Sequence, residues 1–206
     1  IDDNFSSIVA GIEEGRNAYS NIRKICLMLL SCGLAEVLFF VLSIAFDLPM
    51  PLVAIQLLWL NLVTDGLQDM ALSFERETDT IMKEKPRSTK ESLFEKELVK
   101  QIFLSGIFIG ILVFVVWYVL INNLHMEVAH ARGYVLALMV FIQNMHVLNC
   151  RSESKSVFEN GFKQNKFVLF TIVGTIILQM IVMEVPVLSR FLQTYDVPNL
   201  HLVILF

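Results

Sequence analysis

Residues 56–69 read QLLWLNLVTDGLQD, and how this stretch sits decides the fold. An apolar segment bearing Trp59 carries Asn61, Thr64, Asp65 and Asp69 in close succession. On a helix, positions separated by three, four and eight share a face. These four residues are therefore expected to form one polar stripe, with Leu60, Leu62, Val63 and Leu67 on the other faces. A charged side chain at mid-bilayer costs ~2.5–3.5 kcal/mol on insertion scales. The stripe has to face protein, water or a cation rather than lipid.

The rest of the chain puts this stretch in a membrane. Its 206 residues are 55% hydrophobic and 17% charged, with a mean hydropathy of +0.64, where an ordinary soluble domain is ~25% charged. Apolar runs recur near 25–46, 52–74, 101–121, 133–150 and 167–188, each close to the ~20 residues that cross a hydrocarbon core. A sixth run begins at Leu200 and is cut off at Phe206. The expected fold class is all-α: a polytopic transmembrane helix bundle of five full spans and a truncated sixth, led by a short cytoplasmic stalk helix. Residues 1–24 are mixed polar and lack the apolar core and cleavage site of a secretory signal. With Ile1 at one end and an interrupted apolar run at the other, the sequence is expected to be a segment of a longer protein. Its partner is the lipid bilayer; a net charge of −4 gives no argument for nucleic acid.

Lysine and arginine set the orientation. Arg16, Arg23 and Lys24 precede the first run. Loop 75–100 carries Arg76, Lys83, Lys85, Arg87, Lys90, Lys96 and Lys100, and loop 151–166 carries Arg151, Lys155, Lys163 and Lys166. The alternate connections hold only Arg132 and Arg190. The N-terminal end and the 75–100 loop are thus expected in the cytoplasm, in a plasma (inner) membrane or alternatively an organelle membrane. Residues 4–24 place Phe5, Ile8, Val9, Ile12, Ala18 and Ile22 at helical spacing, as an amphipathic helix feeding the first span would. The stretch ESLFEKELVKQIF reads as a short cytoplasmic helix leading into the third. Cys26, Cys32 and Cys150 form no CxxC pair and read as small buried apolar residues.

A second carboxylate, Glu36, lies well inside run 25–46. The FDLPMPL connection, stopped by Pro49 and Pro51, makes the first two spans antiparallel neighbours. Counted from that connection, Glu36 lies about eleven residues back and Asp65 about fourteen on, a few ångströms apart in depth at ~1.5 Å per residue. Two carboxylates at one depth repel unless they share a proton or a cation. In the fourth run, FIQNMHVLN, the Gln143 amide is placed to complete an oxygen cage without adding charge. The candidate metal ligands are therefore Glu36, Asn61, Thr64, Asp65 and Gln143. Asp69 and Asn144 are access or auxiliary candidates. His146 and Asn149 share a face and are read as an interhelical hydrogen-bonding pair, while Gln179 and Glu184 rank lower. Carboxylate, amide and hydroxyl oxygens suit hard cations, and calcium takes 6–8 of them in flexible geometry. Sodium, potassium, protons and magnesium stay open at this point.

The residues also carry a resemblance. IDDNFSSIVAGIEEGRNAYSNIRK resembles the end of the phosphorylation domain and the stalk of P-type cation-transporting ATPases. LLWLNLVTDGLQDMAL is similar to their sixth transmembrane helix, and DTIMKEKPRS to the loop that follows it. Calcium pumps are the nearest subfamily. The resemblance implies that residues 1–24 end the phosphorylation domain and stalk. Residues 25–206 would form the C-terminal transmembrane domain, from the fifth helix to the start of the tenth. In the sarco/endoplasmic reticulum type, ligands come from Glu on the fifth helix, Asn, Thr and Asp on the sixth, and Glu on the eighth. Glu36, Asn61, Thr64 and Asp65 match the first four. Gly33 stands where that type has an Asn ligand and Gln143 where it has the eighth-helix Glu, so the resemblance implies one transported ion per cycle. Asp69 replaces an uncharged residue.

No DKTG aspartate, TGE motif or PEGLP-like fourth helix is present in the sequence. ATP and Mg2+ would bind outside this segment, in an actuator, a nucleotide-binding and a phosphorylation domain that, with the first four helices, would complete the pump. The function so implied is the transport part of an ATP-driven calcium pump, exchanging calcium for protons. The alternatives are a magnesium or monovalent-cation pump of the same family, a secondary cation transporter, and a non-catalytic membrane subunit.

Overall fold

The computed structural model describes residues 5–75, 81–83, 92–151 and 165–194. The sixth apolar run and most of loops 75–100 and 151–166 lie outside the described residues. The described chain is all-α. Helix α1 spans Phe5–Ala45 without a break, so stalk and first span are one rod of about 60 Å at 1.5 Å per residue. The expected boundary at residues 24 and 25 falls inside it. Its end is fixed by local chemistry. Asp47 takes a left-handed conformation (φ 53°) and the Leu48 N–H reaches back to the Ser43 carbonyl at 2.9 Å, the arrangement that closes many helices.

After Pro51 the chain returns through α2 (Ala54–Trp59), a π-helical turn (Leu60–Asp65) and α3 (Gly66–Ser73). Here the structure corrects the sequence reading. The second run is helical from Ala54 to Ser73, but it is not one regular helix. Helix α4 (Lys96–Tyr118) continues into a second π turn (Val119–Asn123). Residues 92–95 are not helical, so α4 and the expected cytoplasmic helix are a single element starting at Lys96. Helix α5 covers Val128–Cys150 and α6 Lys166–Glu184. The fifth run ends early, because Pro186 opens a separate helix α7 (Pro186–Leu192), which holds Arg190 of the connection that follows. By length and composition α1, α4 with its π turn, α5 and α6 can each cross a membrane.

Helices α1 and α4 make the most extensive contact in the bundle. Gly106 and Gly110 allow it: a Cβ on Gly106 would stand 2.9 Å from the Ser31 carbonyl oxygen, and one on Gly110 3.0 Å from that of Ala35. Small residues let helix backbones approach in this way.

The interior has two apolar clusters. One gathers Phe39, Leu60, Val113, Trp117, Leu136 and Val140. The other gathers Met28, Cys32, Leu72, Leu98, Val147 and Val168. Along each of four segments of the bundle, one set of buried polar residues falls between these clusters: Glu36 on α1, Thr64, Asp65 and Gln68 after Leu60, Gln143 and Asn144 on α5, Thr175 on α6. Outside the bundle, Leu104, Phe108 and Phe170 are exposed, as lipid-facing side chains are. A polar layer thus crosses an otherwise apolar core.

Candidate cation site

The first π turn organises the polar layer. Bonding from i to i+5 widens the helix, and single π turns inside α-helices occur often at functional sites. The widened turn rotates Asn61 away from the face shared by Thr64 and Asp65. Asn61 is exposed and turned toward α1, whereas Thr64 and Asp65 are each 1% exposed. The expected single stripe is therefore divided in two. The Asn61 amide donates to Glu36 Oε2 at 3.1 Å and to the Leu57 carbonyl at 3.0 Å. That contact joins α1 to the π turn at the two positions the sequence singles out.

Glu36 is buried, and its Oε1 has no hydrogen-bond partner among the described residues. The same holds for Asp65 Oδ1 and for both amide atoms of Gln143, which is 2% exposed. Buried polar groups are nearly always paired, so this concentration of unpaired oxygens is unusual. Helix α5, which bears Gln143, packs against the π turn. Gln143 lies one residue from Asn144, which receives a hydrogen bond from Gln68 at 2.9 Å. At 1.5 Å per residue, Gln143 and Asp65 are therefore about 3 Å apart in depth.

Among the described residues no group of three or more His, Cys, Asp or Glu side chains could hold a metal ion. The candidate set relies on amide and hydroxyl oxygens beside its two carboxylates, the ligand types of a hard cation. A Cβ on Gly33, one turn from Glu36, would meet nothing within 4 Å.

The remaining sequence candidates separate. Asp69 is half-buried with Oδ1 unpaired. Asn144 is fully buried and engaged: Oδ1 accepts from Gln68 and Thr175, and the amide donates to the Val140 carbonyl. It holds helices together. His146 Nε2 lies 2.6 Å from Ser31 Oγ on α1 and 3.4 Å from Cys150 Sγ, a bridge between α1 and α5. Asn149, expected to share that bridge, is exposed. Gln179 accepts from the Trp59 indole at 2.8 Å.

Sequence reasoning missed Gln68, Thr175, Gln56 and the buried Glu75–Arg151 pair. Gln68 was within reach of it, since an offset of seven from Asn61 belongs to the same helical face. Gln56, whose amide donates to the Leu192 carbonyl, gives no such local signal.

Comparison with known proteins decides the family. A family model described as "Cation transporting ATPase, C-terminus" matches residues 49–206. The chain belongs to that family. It is 37% identical over 194 residues to a protein of Bacillus subtilis named "Calcium-transporting ATPase", an alignment covering 94% of this chain and 22% of that protein. It is 37% identical to "Calcium-transporting ATPase 1" of Bacillus cereus, covering 92% of this chain and 23% of the relative. It is 31% identical to "Calcium-transporting ATPase type 2C member 2" of Rattus norvegicus, across 100% of this chain and 22% of the relative. The chain spans about a fifth of the length of these curated relatives. As a member of the cation-transporting ATPase family with apolar helices of spanning length, it is an integral membrane protein.

Proposed function

We propose that this chain is the C-terminal transmembrane domain of an ATP-driven P-type pump and that the ion it carries is Ca2+. The ligands in this reading are Glu36, Asn61, Thr64, Asp65 and Gln143, with Asp69 at the cytoplasmic approach and one ion moved per cycle against protons. The observation that carries it is the set of unpaired buried oxygens on Glu36, Asp65 and Gln143, in a chain whose relatives are named calcium-transporting ATPases. A desolvated cation supplies the positive charge that two neighbouring buried carboxylates require.

ATP hydrolysis and Mg2+ belong to the part of the pump outside this chain. There, phosphorylation would move the cytoplasmic half of α1, which begins at Phe5. The motion reaches the site because Glu36 lies on the same unbroken helix. The 75–100 loop would brace the stalk: Arg16 donates to the Ile81 carbonyl at 2.6 Å, and Arg23 pairs with Glu95 at 3.2 Å. The cytoplasmic placement of the N-terminal end rests on the distribution of lysine and arginine; the membrane in this reading is a plasma (inner) membrane, with an organelle membrane as the alternative.

The test is Asp65→Asn in the full-length pump. The substitution keeps the shape and removes the charge, so membrane insertion should persist while calcium-stimulated ATP turnover and calcium uptake fall to background. Normal uptake by that variant would remove Asp65 from the site. Phosphorylation of the unaltered pump that ignores calcium and responds to another cation would remove calcium as the cargo.

A further inference from the structure

Helices α3 and α5 run parallel, and two polar contacts tie them. Gln68 donates to Asn144 at 2.9 Å. Seven residues further along each segment, just past the ends of α3 and α5, Arg151 grips Glu75: Nη2 donates to Oε1 at 2.8 Å, and Nε lies 3.2 Å from both carboxylate oxygens. The equal spacing in sequence is what two rungs of one ladder require when neighbouring segments run parallel. Helix α6 braces each rung. Thr175 donates to Asn144 at 2.8 Å, and Asn165 donates to Glu75 Oε2 at 2.8 Å and to the Ala71 carbonyl at 2.9 Å.

The second rung is buried. The side chains of Arg151 and Glu75 are 1% and 3% exposed. A buried ion pair is weak evidence for stability, because desolvation offsets most of its attraction; its best-attested use is to fix a register. The pair sits at the end of α3, where the last carbonyls of a helix lack intrahelical donors. Three carbonyls at and just past this end accept from side chains elsewhere, Ala71 from Asn165, and Ser73 and Glu75 from Asn21 at 2.9 and 2.7 Å. Only α3, eight residues long, separates this knot from the π turn that carries Thr64 and Asp65.

We propose that Glu75, Arg151 and Asn165 form a positioning clamp which, with the Gln68–Asn144–Thr175 rung, locks the axial register of α3 against α5 and so holds Gln143 at the depth of Asp65. The clamp rests on the cation-site reading above and deepens it. It touches no ligand; it acts by fixing the helices that bear ligands on either side of the ion. Its failure would let α3 slide or rotate against α5, and the cage would loosen without unfolding.

The test uses the full-length pump in membranes. Replacing the pair whole, Glu75→Leu with Arg151→Leu, removes both buried charges at once, a change that is often neutral or stabilising for a fold. The double variant should reach the membrane and unfold no earlier on heating than the unaltered pump. The calcium concentration for half-maximal ATP turnover should rise about tenfold or more, the scale seen when groups supporting metal ligands are lost. The maximal rate per folded pump should change far less, a split that a purely structural role does not produce. Arg151→Lys keeps the charge but loses the planar fork and should give a smaller shift. A folded double variant with unchanged half-saturation overturns the clamp; should it not fold, an unchanged half-saturation in Arg151→Lys does so instead. An unaltered pump indifferent to calcium overturns the calcium reading alone, and the variants are then compared with whichever of magnesium or sodium stimulates it.

Discussion

Gln143 and Asn144 are neighbours of the same chemistry with opposite fates. Asn144 is engaged at both ends of its amide and Gln143 at neither. Composition cannot separate them; the difference is which way each points from α5. The same contrast divides His146, bonded to Ser31, from the ligand candidates around it. Ser31→Ala tests this structural role for His146. Removing the hydroxyl leaves the buried ring nitrogen only the weaker Cys150 sulfur at 3.4 Å, a loss on the scale of one hydrogen bond, ~1 kcal/mol. The variant pump in detergent should unfold at a lower temperature than the unaltered one, with its half-saturating calcium concentration unmoved. A shift in that concentration at constant thermal stability would place His146 in the ion site.

The element that matters most is the π turn at Leu60–Asp65. An α-helical register would keep Asn61 on the face of Thr64 and Asp65. The wider turn sends Asn61 to Glu36 and leaves the other two inside. One extra residue per turn is thus what lets one segment reach two neighbours. Deleting Val63 takes that residue out and restores α-helical bonding through the turn. The shortened pump should still insert, because apolar content is almost unchanged, yet lose calcium-stimulated turnover as Asn61 and Glu36 part. Full turnover in the deletion variant would show that the π turn is dispensable. Cell-surface or membrane yield, measured beside turnover, separates loss of function from loss of protein.

Across the whole molecule, the helices are arranged so that a polar layer lies between two apolar clusters and lipid-facing residues surround both. That arrangement carries an orientation. In a background lacking Cys26, Cys32 and Cys150, a cysteine at exposed Glu127 should react with a membrane-impermeant thiol reagent from outside. One at exposed Lys83 should react only after the membrane is opened. Labelling of the Lys83 position in sealed cells would reverse the topology.

Much of this was legible in the sequence, because it follows from sums and periods. The apolar runs gave the helices, since a bilayer rewards long apolar segments whatever they pack against. Glu36 and Asp65 stood out because carboxylates inside such runs are costly. The two proline-rich breaks, at Pro49–Pro51 and Pro186, differ in visibility: the first reads as a connection, while the second splits a run that composition alone makes continuous. What the linear order could not show was rotation. The π turn, the unpaired state of Gln143 and the Glu75–Arg151 clamp each depend on how far one helix is turned or slid against another. Side chains 76 positions apart in the chain meet only when tertiary packing has fixed those angles, so the sequence determined which segments are apolar enough to enter the membrane and packing decided which of their polar atoms were left without a hydrogen-bond partner.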